Sequence, residues 1–434
     1  MIERNKLLIL LAVAIFLLSL VYSISRLSED WAYQGIEYHP LSSVSFASIV
    51  FLLIIPALRF KSKIEKPSDL VVIYLYFFVY APYIIVPFVI IDQEEMVSEF
   101  YLYSITLLLC FFIFQSPSRD KKSFIEYVPV LTPKAFYLLL SGMYVVSLIL
   151  LVNAFGFSLK SINLTEVYDI RVDYKEVKQN ESVIIGYIVP WFAYIINPFV
   201  LLLGMIKKDY RFIFVAILFQ LYIFTFSAFK SHLAIIILEV LLYLYFRNRR
   251  HIRASIIFIV LGFFPLIIIV LDYLFFNDNL LSMLITRRVI VVPGQLSYYY
   301  IEFFTNNPKN YLSYSVFKNF IPNPYTLNPP FLIGREYFGR ETISANAGFL
   351  PDSFASFGLL GVLGSAFIIK WVLNTIDFLY RSSKNNNIIL VLTLAFCYVL
   401  NTSALLTLFL THGLLLLILL FRIFPWKAFK VNSL

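Results

Sequence analysis

Four short stretches of this chain set cationic side chains beside long apolar runs. Arg171 stands in YDIRVDYKE, Lys230 and His232 in SAFKSH, Arg287 and Arg288 in LITRRVIVVPG, and Arg335 and Arg340 in IGREYFGR. A guanidinium is a planar fork that matches phosphate oxygens two at a time, and an ammonium adds a point charge. Grouped at a membrane surface, such groups suit a lipid-linked pyrophosphate. They can stabilise that pyrophosphate as it leaves a glycosyl donor. The plainer role is to neutralise lipid phosphates or to pair with Asp169, Asp173, Glu336 and Glu341.

The stretch ANAGFLPDSFASFGLLGVLG, residues 345–364, is a second candidate. Asp352 is placed to cap an apolar helix and accept hydrogen bonds from its orphan amides. Gly358, Gly361 and Gly364 recur every third residue and are expected to line one face for close helix contact. That helix N-terminus also favours an anion. With Asn346 and Gly348 just ahead of it, backbone amides and Asp352 are set beside a phosphate or an acceptor hydroxyl. Between these motifs run many rings, among them Tyr298, Tyr299, Tyr300, Phe303, Phe304 and Tyr337. Aromatic faces stack on sugars and Tyr hydroxyls bond to them; the plainer reading is an interfacial belt.

Other chemistries have no motif here: there is no Walker loop, HExxH, Cys/His cluster or G-x-S-x-G. Cys110 and Cys397 lie in apolar runs and read as small hydrophobes. His412, Lys370 and Glu239 fall inside apolar segments, where packing is the default and function the alternative. No cofactor and no metal ion is expected.

The elements that must position these residues are membrane helices. The 434 residues are 60% hydrophobic and 14% charged, with a mean hydropathy of +0.82. A soluble domain is nearer half apolar and a quarter charged. Runs long enough to span a bilayer occur at about 7–24, 41–58, 70–91, 98–115, 135–155, 183–206, 211–228, 231–246, 254–276, 353–379, 387–400 and 404–422. The first is read as a span rather than a cleaved signal, and Asn401-Thr402-Ser403 as the turn between the last two. The fold class is therefore all-α: one polytopic bundle of about twelve spans over residues 1–434. With the N-terminus inside, 22 of the 35 Lys and Arg fall in cytoplasmic segments and 12 in outer ones, as the positive-inside rule requires. Both termini are then cytoplasmic. The net charge of +9 reflects this topology rather than nucleic-acid binding. Two outer loops are large, 156–182 and 277–352. The second, between spans 9 and 10, is aromatic-rich, unlike disordered chain, and is expected to be partly helical.

The order of these features resembles the O-antigen, or oligosaccharide repeat unit, polymerases of bacterial envelopes (the Wzy type). The matching stretches are RVDYKE, the turn FSAFKSH, RRVIVVPGQLSYYY and IGREYFG…SANAGFLPDSFASFGLLGVLG. Members often carry arginine in the turn where this chain has Lys230. The resemblance implies a GT-C-like fold and an inverting, metal-independent glycosyl transfer. A polyprenyl-pyrophosphate-linked glycan is moved onto another lipid-linked repeat unit at the outer face of the inner membrane. Donor, acceptor and membrane lipid are then the partners, with room for a chain-length regulator. On that footing Arg171, Arg287, Arg288 and Lys230 grip the pyrophosphate, and Asp352 or His232 is the general base. Arg335, Asn346, Tyr298 and Tyr299 serve the glycan or the loop. The alternatives are an O-antigen ligase, which delivers the glycan to lipid A-core, and a flippase without catalysis.

Overall fold

The computed structural model describes residues 2–117, 124–157, 170–171, 174, 183–247, 252–276, 278–384 and 387–428. Among these the regular structure is helical except for a two-residue antiparallel pair, Lys63–Ile64 with Ile252–Arg253. In chain order the helices are α1 (Ile2–Trp31), α2 (Ser43–Ala57), α3 (Pro67–Ile90), α4 (Ser98–Gln115), α5 (Pro133–Phe155), α6 (Ile185–Lys207), α7 (Tyr210–Ser227), α8 (Lys230–Phe246), α9 (Ala254–Gly262) and α10 (Phe264–Phe275). A π-helix (Ser282–Val291) follows, then α11 (Val292–Asn306), α12 (Pro329–Phe338), α13 (Phe349–Ser382), α14 (Asn387–Leu400), α15 (Leu405–Phe409) and α16 (Leu414–Ile423).

Each of the twelve apolar runs is helical over most of its length, those at 254–276 and 404–422 being broken into two helices each, and Asn401 and Thr402 form the expected turn. The lengths differ from the expectation. Among the described residues eight helical segments are long and apolar enough to cross a bilayer. The bent pair α9–α10, kinked by 42°, makes nine. The helices α2, α8 and α14 have 15, 17 and 14 residues, short of the roughly 20 that a crossing needs. The long segment 277–352 contains the π-helix, α11 and α12.

The chain forms two compact units. Unit 1 comprises Met1–Pro117, His251–Val372 and Leu400–Leu405; unit 2 comprises Ser118–Arg250, Leu373–Val399 and Leu406–Leu434. In unit 1, α1 packs along α9 and α10, and α11 along the second half of α3. Rings of Phe60, Tyr76, Phe77, Phe111 and Phe258 join α3, α4 and α9 edge to face. Gly294 lets α11 approach α3 closely: a Cβ there would meet the Pro82 carbonyl at 2.7 Å. In unit 2, α7 and α8 pack on α6, and Phe136, Phe199 and Phe424 form a ring cluster. The apolar Leu138, Val145 and Ile149 of α5 face outward, as lipid-facing side chains do.

Three π segments share one cause. Tyr76–Tyr80, Phe192–Ile196 and Ser282–Val291 each end two residues before a proline, respectively Pro82, Pro198 and Pro293. Proline donates no amide hydrogen and its ring clashes with the carbonyl four residues back. Widening the preceding turn relieves that clash. The residue before each proline bonds five residues back instead: Ala81 to Tyr76, Asn197 to Phe192 and Val292 to Arg287. Such turns are rare and frequent at functional sites.

Candidate functional site

Arg287 stands on the third π segment. It is 4% exposed, yet its Cζ lies 3.5 Å from the centre of the Trp31 ring. Its Nη1 donates to Gln34 Oε1 at 3.4 Å, and its Nε has no hydrogen-bond partner. Among the described residues no carboxylate lies within ion-pair distance of it. Burial first, and the charge of Arg288 second, lower its pKa to about 10, so the group remains cationic at neutral pH. The Thr286 hydroxyl beside it is also buried without a partner. A buried cation with a free donor and no counter-charge is costly and is chemically an anion site. Arg288, next in sequence, is exposed.

The surroundings of Arg287 are rigid. Gln295 Nε2 donates to the Gln34 carbonyl at 2.7 Å and to the Tyr299 hydroxyl at 3.0 Å. Tyr299 stacks on Tyr337, with centroids 4.0 Å apart at 10°. Glu302 accepts from Tyr337 at 2.8 Å and from Tyr298 at 3.5 Å. Burial, then Glu302, raises the pKa of Tyr337. Tyr298 and Tyr299 are thus buried packing rings in this arrangement.

Asp352 lies in the same unit. The helix starts at Phe349, so Asp352 sits inside its first turn and is not the residue ahead of it. It is 4% exposed; the Tyr314 hydroxyl and the Leu405 amide donate to its carboxylate. Tyr314 comes from a segment with strained backbone, where Tyr311 and Leu312 have φ of 51° and 64°. Asn310 secures that segment: its amide donates to the Ala355 carbonyl at 3.0 Å, and its Oδ1 accepts from the Leu312 amide and the Ser356 hydroxyl. Its Nδ2 and the Ser313 hydroxyl are buried without partners.

The glycine expectation is corrected here. Gly358 has φ +62° and ψ −149°, conformations that glycine tolerates, and it kinks α13 instead of lining a face. A Cβ on Gly361 would meet the Ser353 carbonyl at 2.2 Å, a contact within α13 across that kink. Gly364 has nothing within 4 Å. Gly358 and Gly361 serve a bend and Gly364 is open, so the three do not form a shared helix–helix seam.

Asn401 ties the two clusters together. Pro293 deprives the Val289 carbonyl of its helical donor, and Asn401 Nδ2 supplies one at 3.2 Å. Its Oδ1 accepts from Tyr83 at 3.2 Å, and the Tyr83 hydroxyl accepts from the Gly348 amide. A Cβ on Gly348 would come within 2.5 Å of that hydroxyl. Asn346, two residues earlier, is exposed. Arg335 is half-buried and pairs with Glu336 at 3.0 Å and Glu341 at 3.6 Å.

Unit 2 holds the remaining candidates. Arg171 donates twice to the Ala228 carbonyl, at 3.1 and 3.0 Å, with its guanidinium 5.3 Å from the Phe229 ring. Lys230 opens α8 and is exposed. His232, 3% exposed, faces the Ser227 hydroxyl through Nδ1 at 3.1 Å. The Tyr194 ring lies between His232 and His412, at 5.3 and 5.7 Å. The expected pyrophosphate set therefore divides: Arg287 and Arg288 belong to unit 1, Arg171 and Lys230 to unit 2. Among the described residues no three His, Cys, Asp or Glu side chains group as metal ligands.

Sequence reasoning missed Trp31, Gln34, Asn310, Tyr314 and Asn401. Trp31 and Gln34 follow the first apolar run in EDWAYQG, and Asn401 sits in a recognised turn; none carries a motif. Compared with family models, curated proteins and solved structures, the chain gives no match in any of the three.

Proposed function

We propose that this chain is a polymerase of polyprenyl-pyrophosphate-linked oligosaccharide repeat units. In this reading it is a Wzy-type, GT-C-like bundle of about twelve spans in the bacterial inner membrane, with both termini cytoplasmic. The observation that carries the proposal is Arg287, buried on a π-helix with, among the described residues, no partner for its Nε and no carboxylate beside it. The contacts support the assigned sides. Lys63–Ile64 pairs with Ile252–Arg253, and Ser255 donates to Asn5; all belong to segments assigned to the cytoplasm or their span ends. Gln34 meets Arg287 and Gln295, which belong to segments assigned outside.

In the proposed reaction the acceptor hydroxyl oxygen attacks the anomeric carbon of the donor. The bond from that carbon to the diphosphate oxygen breaks, and polyprenyl diphosphate leaves with the electron pair. Arg287, with Arg288, stabilises that charge. The hydroxyl proton passes to Asp352, whose carboxylate the Tyr314 hydroxyl holds. A general base of this kind contributes about 10²–10⁴-fold.

The test is chain extension by the purified protein on a lipid-linked repeat unit. A parallel deletion strain separates the neighbouring chemistry. Single repeat units on lipopolysaccharide indicate a polymerase, and loss of every attached repeat indicates a ligase. Failure to extend a lipid-linked unit, with transport of it intact, refutes the enzyme and favours a carrier.

A further inference from the structure

We infer that unit 1 carries a second anion site, a cleft that takes a phosphate group at the end of the helices assigned to the cytoplasm. Arg59, Lys61, Lys63, Lys66 and Lys370 line one cleft between the start of α3, the end of α4 and α13. Two carboxylates on the same segment, Glu65 and Asp69, oppose them. Glu65 reaches Lys61 only at 4.0 Å between exposed side chains, and Asp69 accepts the Glu65 amide at 2.9 Å.

Three observations set this cleft apart from a solvated basic face. Lys63 stands directly opposite Arg253 in the antiparallel pair. Opposed residues project on the same face, and like charges there repel. Lys63 lines the cleft, so an anion bound there screens that repulsion. Lys370 comes from a membrane helix and is 7% exposed. Its ammonium reaches the cleft and donates to the carbonyls of Phe114, at 3.1 Å, and Ser116. These carbonyls help hold the ammonium at the cleft wall, as a snorkelling lysine allows. Third, α3 begins at Pro67, and Lys66, Ser68 and Asp69 line the cleft, so the positive end of that helix adds to the field.

The chemistry recognised is a phosphate group. Its two sources are the head group of an anionic phospholipid, which basic clusters at the cytoplasmic edge attract, and soluble phosphate. Neither depends on the glycosyl transfer proposed above.

The test uses the full chain in nanodiscs of phosphatidylcholine, alone, with phosphatidylglycerol, or with inorganic phosphate in solution. The readouts are the thermal unfolding midpoint and the lipid retained in native mass spectrometry. Phosphatidylglycerol is expected to raise the midpoint of the wild type and of Lys134→Gln, at a residue outside the lining. The joint variant Lys63→Gln, Arg253→Gln is expected to lose most of that rise and to bind the lipid roughly tenfold more weakly. In phosphatidylcholine alone that variant should be at least as stable as wild type, because the repulsion is gone. Lys66→Gln is the second variant should the first fold poorly. Protection by inorganic phosphate alone also upholds the site and makes the soluble anion its ligand. Equal protection of wild type and both variants, or protection by neither anion, overturns it.

Discussion

The Arg287 guanidinium lies over the Trp31 indole, its Cζ 3.5 Å from the ring centre, on a turn that Pro293 widens. The stack holds the fork in place while leaving Nε free. Charge alone is therefore insufficient at this position, because a lysine neither stacks nor presents two parallel donors. Arg287→Lys should shorten polymer in cells nearly as severely as Arg287→Ala, by about 10²-fold in rate or more. Gel ladders of lipopolysaccharide at matched protein levels read this directly. A long ladder from Arg287→Ala would remove Arg287 from the mechanism.

Tyr314 and Asp352 form a pair that separates positioning from chemistry. Burial, then the charge of Asp352, raises the Tyr314 pKa, so the phenol is a donor throughout the physiological range. Asp352→Asn should abolish extension while the purified protein still folds. Tyr314→Phe should keep measurable extension and lose about 1–3 kcal/mol of stability through the missing charged hydrogen bond. Equal activity in Asp352→Asn and wild type would shift the base assignment to His232.

Gly358 and Gly364 predict opposite outcomes from one chemical change. Gly358→Ala forces a Cβ into the φ +62°, ψ −149° conformation and should cost about 1–3 kcal/mol. Gly364→Ala meets nothing within 4 Å and should stabilise α13 by about 0.5–1 kcal/mol, the usual helical difference. Thermal unfolding in detergent distinguishes them; equal midpoints would disprove the kink.

Glu239 on α8 is fully buried, and neither carboxylate oxygen has a hydrogen-bond partner among the described residues. Replacing an unsatisfied polar group with an apolar one of similar size recovers its burial cost. Glu239→Leu should raise the unfolding midpoint and leave the polymer ladder intact. Loss of polymer in a well-folded Glu239→Leu would instead show that this carboxylate takes part in function.

Part of the candidate site was legible because it consists of unusual local chemistry. Arg287 was visible as an arginine next to an apolar run, and Asp352 as an acid at a helix start. Trp31 and Gln34 were not, because they lie more than 250 positions from Arg287 and carry no pattern of their own. Asn401 looked like an ordinary turn residue. Its role appears only when the carbonyl freed by Pro293 is seen to need a donor. The prolines at 82, 198 and 293 were readable as helix breakers, and the π turns before them follow from the clash that each ring creates.

Composition and hydropathy determined that the chain is a bundle of apolar helices, because a backbone in lipid must satisfy its hydrogen bonds within each segment. The charge pattern gives each loop an expected side, because Lys and Arg collect in cytoplasmic loops. Tertiary structure decided which cations stay unpaired. Arg335 found Glu336 and Glu341, Arg171 found the Ala228 carbonyl, and Arg287 was buried on an indole with no acid beside it. Pairing depends on which distant segments share a neighbourhood, and no local spacing in the sequence encodes that.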